Sequence, residues 1–388
     1  MQPSPYTPGA VTTHVPGRGA PLAAVRERLS YVKNLQRLAG QIRVDVGPRG
    51  IGKTSLLRAI QSHAEREGFT TIWVTAGDAP FLEAVLEEFE RAVHTWKDTA
   101  RESLRTVLDS FSVTIAGVSV DPSRTTGPAR RRPISVGRAL QRIMTETAAE
   151  VIDRGGAGLA VFIDEIQLAD EEGLRALAYA WQHLQSEAPN TPAAVFTAGL
   201  SHSQDVITEA ASFAERFRYN HLTNLDEESA LVALVEPARA VGVTWTDDAL
   251  TIALREAGGY PYFLQLIGDT AWQATMYPDP GQVIQGEHLT IALGEFHTQR
   301  TGLFRARWSK TSEREAELLT AIAALGDGPQ RRRDIAAALG VTTGALSMAR
   351  RSLMDKGLIE AAGHGYLDFT VPGFAHFIRD EKDITPFI

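Results

Sequence analysis

Gly47-Pro48-Arg49-Gly50-Ile51-Gly52-Lys53-Thr54 is a complete GxxxxGK[ST] stretch, and its neighbours decide how it is read. Upstream, Ile42, Val44 and Val46 alternate as a short buried strand; downstream, Leu56, Leu57 and Ile60 recur at helical spacing over 55–64. A glycine-rich turn between strand and helix suits a polyphosphate. Gly47 and Gly52 permit backbone angles and a close approach that a Cβ blocks, so successive N–H groups and the helix N-terminus can face the phosphates. Lys53 is placed for the β- and γ-phosphates, and the Thr54 hydroxyl for one position on Mg2+. The stretch and Ser55 form the candidate nucleotide cradle.

The partner signal is Leu159-Ala-Val-Phe-Ile163, an apolar run ending in Asp164-Glu165. A strand buried on both faces ends in two acids where something cationic or reactive meets them. Beside a phosphate loop, Asp164 is a metal ligand and Glu165 the base that polarises the attacking water. The other reading makes both acids caps of the following helix.

Composition narrows the class. The chain has 388 residues, room for two or three cores, with 44% hydrophobic and 22% charged residues. A net charge of -8 excludes a protein that coats nucleic acid with its whole surface. Without cysteine there is no disulfide, thiolate zinc site or cysteine nucleophile. Residues 1–15, rich in Pro and Thr and unlike a signal peptide, read as a flexible arm, and no apolar run is long enough to span a bilayer. The expectation is a cytoplasmic protein with no membrane partner.

Between the motifs, 70–75 reads as a strand, 80–97 as a helix, 113–120 as a small hairpin and 121–133 as a loop holding Arg130, Arg131 and Arg132. That basic run either touches nucleic acid or is simply solvated. An apolar strand at 194–200 contains Thr197, a fifth strand occupies 219–222, and helices follow over 226–237, 247–257 and 260–275. The segment 16–38 carries Leu22, Val25, Leu29, Val32 and Leu35 on one helical face.

Several of these stretches resemble AAA+ ATPases of the Orc1/Cdc6-like and STAND branch. Val15-Pro-Gly-Arg-Gly-Ala-Pro-Leu22 is similar to the "GR...L..L" box beside adenine, which implies Gly17 and Arg18 as nucleotide neighbours. Thr197 falls where that family keeps its sensor 1 residue; a threonine satisfying its own backbone is the other reading. Phe213-Ala-Glu-Arg216-Phe resembles the (S)RF box, with Glu215 in place of Ser. The resemblance makes Arg216 an arginine finger, against a surface arginine paired with Glu215 or Asp226. Gly258-Gly-Tyr-Pro261 resembles the GG-x-P motif, which implies Pro261 near the adenine, though a plain turn uses the same residues. No arginine lies within 258–275, so the sensor 2 arginine of many relatives has no match.

From 312 onward the pattern is helix, helix, turn, helix, hairpin, the order of a winged helix. On its third helix, 342–356, Leu346, Ala349 and Leu353 share one face, and Ser347, Arg350 and Arg351 the opposite face that would enter a major groove. Arg331, Arg332 and Arg333 open the preceding helix as a backbone clamp. Winged helices also bind proteins. The expected fold is therefore α/β, a P-loop NTPase of AAA+ type with a parallel five-stranded sheet (16–224), an all-helical lid (225–308) and a C-terminal winged-helix domain (309–388). The resemblance implies ATP and Mg2+ as cofactors, and duplex DNA as partner in replication initiation, mobile-element maintenance or a related transaction. It also implies a homo-oligomer, or a partner protein that gives or takes the arginine finger. The rival is a signalling or defence STAND ATPase whose winged helix contacts protein.

Overall fold

A computed structural model of the protein describes residues 1–94 and 135–384; the hairpin expected at 113–120 and the arginine loop at 121–133 lie outside the described residues. The first elements are α1 (Gly19–Leu35), β1 (Arg43–Val46), α2 (Lys53–Arg66), β2 (Phe69–Thr75) and α3 (Phe81–His94). They continue with α4 (Val136–Asp153), β3 (Gly158–Asp164), α5 (Glu171–Glu187), β4 (Ala193–Gly199), α6 (Ser203–Ala210) and β5 (Arg218–His221). The five strands pair in parallel in the order β2-β3-β4-β1-β5. Helices cover both faces: Leu56 and Ile60 of α2 pack with Phe162 and Phe196 on one side, Ile143, Leu177 and Trp181 with Val44 and Val195 on the other. β3 and β4 are buried along their whole length, as central parallel strands must be.

β1 interleaves its two valines with charges. Arg43 is 3% exposed and Asp45 1% exposed, and the guanidinium donates to the carboxylate from Nε and Nη2, the latter at 2.8 Å. Nη1 of Arg43 reaches the Pro21 carbonyl at 3.3 Å, tying the start of α1 to the strand that leads into the phosphate loop.

The lid consists of α7 (Glu227–Ala240), β6 (Thr244–Trp245), α8 (Asp247–Ala257), α9 (Pro261–Ala274), β7 (Val283–Ile284) and the long α10 (Gly286–Trp308). Pro237 does not end its helix: α7 runs to Ala240 with the proline in its last turn. Gly258 ends α8 in the left-handed conformation at φ 57°. A short parallel pairing of β6 with β7 joins the helices, so the lid is not purely helical.

The C-terminal module comprises α11 (Glu313–Ala324), β8 (Gln330–Arg331), α12 (Arg332–Ala338), α13 (Ser347–Asp355), β9 (Ile359–Ala361), β10 (Tyr366–Phe369) and α14 (Phe374–Lys382). Its antiparallel sheet has the order β8-β10-β9, and the element order is that expected of a winged helix. Three details differ from the sequence reading. Arg331 lies in a strand rather than in the second helix, the third helix begins only at Ser347 because Gly344 sits in a turn, and a closing helix, α14, follows the hairpin.

Residues 1–15 are not a free arm. Tyr6 is 2% exposed and its ring is buried in the lid among Trp245, Trp272 and Gly268. A Pro- and Thr-rich segment carries no periodicity, and one aromatic side chain with a matching slot holds it down.

Removing one partner of the β1 pair strands the other in the core. Asp45→Ala is expected to lower unfolding stability by about 3–5 kcal/mol, and the joint replacement Arg43→Met with Asp45→Leu, which leaves apolar side chains of similar volume, to cost far less. Denaturant titration of the single and double variants checks this.

Candidate nucleotide site

The phosphate loop leaves β1 at the C-terminal edge of the sheet, where α/β folds place ligands. Gly50 and Gly52 adopt φ of 83° and 90°, so the loop needs glycine at both positions. Lys53 is 6% exposed and donates from Nζ to the Pro48 carbonyl at 2.9 Å. Burial lowers its pKa to about 8, with Glu165 and Asp164 opposing the shift. The Thr54 hydroxyl donates to Oδ2 of Asp164 at 2.8 Å, which brings the two expected metal ligands together. Burial raises the Asp164 pKa.

These hard oxygen donors fit Mg2+. Among the described residues no cluster of three or more His, Asp or Glu could hold a metal by itself, so the fit is to an ion shared with phosphate oxygens. Bound there, the metal would neutralise charge on the phosphates.

Glu165 lines the same cleft of about 350 Å³ as Lys53, Thr54, Arg18 and Pro261. Its backbone is left-handed at φ 52°, unusual for a glutamate and a form of strain found at functional sites. Glu165 stands at the N-cap of a 3₁₀ turn (Ile166–Leu168) without a side-chain cap bond, and the N-cap of α5 is Asp170, which accepts from Gly173 N at 2.7 Å. Gln167, which sequence reasoning missed, donates from Nε2 to the Glu165 carboxylate and accepts from Leu200 N at 3.0 Å. It holds the Glu165 carboxylate and joins the ends of β3 and β4. An amide two residues beyond the acids was the only signal available.

Arg18 is 8% exposed and donates from Nη2 to the carbonyls of Ile51 and Thr223, at 3.2 and 2.8 Å. Gly17 sits where a Cβ would lie 2.8 Å from Ser229, so it lets the box approach the lid rather than lining the cleft. Pro261 opens α9, and the preceding Tyr260 donates its hydroxyl to the Arg49 carbonyl.

Two expected residues are placed elsewhere. Thr197 is 1% exposed, bonds the Arg43 carbonyl through Oγ1 at 3.2 Å, and packs with Ile42, Val44 and Ile207 on the face of the sheet away from α2. It satisfies the backbone and does not face the phosphates. Arg216 is exposed in a 3₁₀ turn (Ser212–Arg216), and its carbonyl accepts from Gln41 Nε2 at 2.6 Å, before β1 begins. With Arg43 opposite Arg218 in parallel register, it lies at the other end of the sheet from Gly47, roughly 13 Å of strand away.

A glycine cradle at a helix start, a buried lysine, a Thr–Asp pair and a positioned glutamate define a P-loop nucleoside triphosphatase. Residues 14–196 match the AAA ATPase domain family, so the chain carries an AAA ATPase domain and is an ATPase. Residues 301–378 match a domain of unknown function (DUF8462). A search of curated proteins finds no match. Among solved structures the chain is similar to the Walker-type ATPase paby2304 of Pyrococcus abyssi, at 16% identity over 96% of this chain and 99% of that one, with a TM-score of 0.62. It is also similar to Cdc6p of Pyrobaculum aerophilum (13% identity, 98% of each chain, TM-score 0.47) and to a point variant of Thermotoga maritima RuvB (16%, 95% of each, 0.45). The first likeness extends the shared fold across nearly the whole chain.

Glu165→Gln is expected to bind ATP normally while kcat falls about 10²–10⁴-fold. Gln167→Leu should lower kcat with ATP affinity unchanged, since it frees the base without touching the cradle. Equilibrium binding and steady-state hydrolysis of both variants decide, and wild-type turnover by the first would remove Glu165 as the base.

Proposed function

We propose that the protein is an ATP-binding and ATP-hydrolysing switch that engages duplex DNA through its C-terminal winged helix, in replication initiation, mobile-element maintenance or a related DNA transaction. One observation carries the DNA reading. Arg331, Arg332, Arg333 and Ser347 share a cleft of about 500 Å³ with His364 of the turn between β9 and β10. Helix start, arginine triplet and wing tip thus present one basic surface, suited to phosphates on either side of a groove. Nε of Arg331 is steadied by the Tyr366 hydroxyl at 2.6 Å, and Arg333 contacts Asp334 at 3.1 Å.

The other assigned arginines stand apart from that cleft. Arg351 is bound to Glu209 of α6 at 2.8 Å, so it faces the ATPase core, and Arg350 is half-buried. Around the same junction His202 lies 3.6 Å from Asp355, and Ser201 donates to Glu360 at 3.5 Å. These contacts favour the second reading, a signalling or defence ATPase in which the module rests on the core until a protein partner binds. Arg216, exposed at the far end of the sheet, fits a finger offered to another copy and not to its own cleft.

The readings separate in one binding experiment. With random duplex DNA, the expected result is salt-sensitive binding in which replacing Arg331, Arg332 and Arg333 by Ala reduces the salt slope by about one per lost phosphate contact, and Arg351→Ala has little effect. Absence of binding at low salt, with and without ATP, would exclude DNA. Faster ATP turnover in Glu209→Ala would then support the protein-partner reading.

A further inference from the structure

The N-terminal segment is held at both ends of the nucleotide cleft. At one end Tyr6 is sunk in the lid: its hydroxyl donates to the Leu234 carbonyl and accepts from Trp245 Nε1 at 3.0 Å. The ring lies so close to α9 that a Cβ on Gly268 would sit 2.5 Å from its Cδ1. Thr7 N donates to Gln265 Oε1 at 3.1 Å, and Trp272 Nε1 to the Gln2 carbonyl at 3.1 Å. At the other end Thr12 N donates to Ser55 Oγ at 3.3 Å, in the first turn of the phosphate-loop helix. Val11, between these anchors, and Val15, just beyond the second, line the cleft together with Leu225 and Ala233 of the lid side. The apolar slot between them is chemically suited to a purine base, with the phosphate loop at its polar end.

We propose that residues 7–15 form a strap that walls the base side of the nucleotide site and governs nucleotide release, with Tyr6 as its positioning residue. This rests on the reading of the cleft as an ATP site. Because the strap bridges lid and loop helix, a nucleotide seated in the slot leaves only when one anchor opens. Loss of an anchor therefore acts on dissociation, while Lys53, Thr54 and Glu165 keep their places.

The test uses the full chain and a fluorescent N-methylanthraniloyl ATP chased with excess ATP. Tyr6→Ala removes the anchor; Gly268→Ala leaves Tyr6 in place but puts a methyl group where its ring sits, in a helix that tolerates alanine well. Trp245 and Trp272, both with ring centroids 6.2 Å from Tyr6, report undocking by a change in tryptophan emission. Both variants should release the analogue about tenfold faster or more, and the double variant no faster than either single one, since both act on one docking event. Unchanged dissociation in a variant whose emission shows undocking overturns the proposal, as do effects that multiply in the double variant. Lys53→Ala is the separate control: if it retains wild-type affinity, the ATP reading fails and not the strap alone.

Discussion

The shape of the phosphate loop rests on side chains that donate to three of its own carbonyls. Each buried carbonyl needs a partner. Arg18 serves Ile51, Tyr260 serves Arg49, and Lys53 serves Pro48. These donors come from three parts of the chain: the box before α1, the turn into α9, and the loop's own helix. The loop's shape is therefore a joint property of core and lid. Gly50 marks the tightest point, since a Cβ there would collide with the Tyr260 hydroxyl. Anything that shifts the lid moves a hydrogen bond on the loop, the contact through which the proposed switch would act.

Much of this site was legible because it is local in sequence. The loop and the Asp164-Glu165 strand end are each short patterns flanked by the right periodicity, and the fold brings Thr54 to Asp164 as those patterns imply. What failed depended on register or distance. Thr197 lies inside the expected strand, and of its two readings the structure carries the one in which the hydroxyl bonds backbone, because a side chain's face is fixed by its position along the strand. Beside Glu165, Gln167 accepts from the Leu200 N–H and the Ser203 hydroxyl across the strand ends, a contact that no apolar period marks. Tyr6 finds its partners more than two hundred residues away, at Leu234 and Trp245, and no local pattern encodes such a pairing.

The buried pair in β1 illustrates a related limit. Arg43 and Asp45 alternate with the residues that mark a short buried strand, and both charged positions are covered as well, which that alternation does not announce. The charges are accommodated because Arg43 bonds Asp45 and Pro21. Such a pair adds little net stability but penalises any other partner for either charge. It fixes how α1, and with it Arg18, is seated against the strand that ends in the loop.

The interfaces around the cleft differ in kind, and that difference decides which can move. The strap meets the lid through a buried tyrosine between two tryptophans, with hydrogen bonds to interior carbonyls. The C-terminal module meets the core through Arg351 and Glu209, 57% and 60% exposed, through a 3.6 Å contact of His202 with Asp355, and through Gly357 beside Leu200 and Arg49. An exposed ion pair of this type adds little stability and weakens with salt. At Glu360 burial and the nearby Asp368 raise the pKa, and the Ser201 hydrogen bond opposes them. On the core side the module is thus held by polar and exposed contacts, while Phe304 of α10 packs on Phe374 and Phe377 of α14 and ties it to the lid. A change in the loop that moves Arg49 therefore acts directly on the contact between the module and the core.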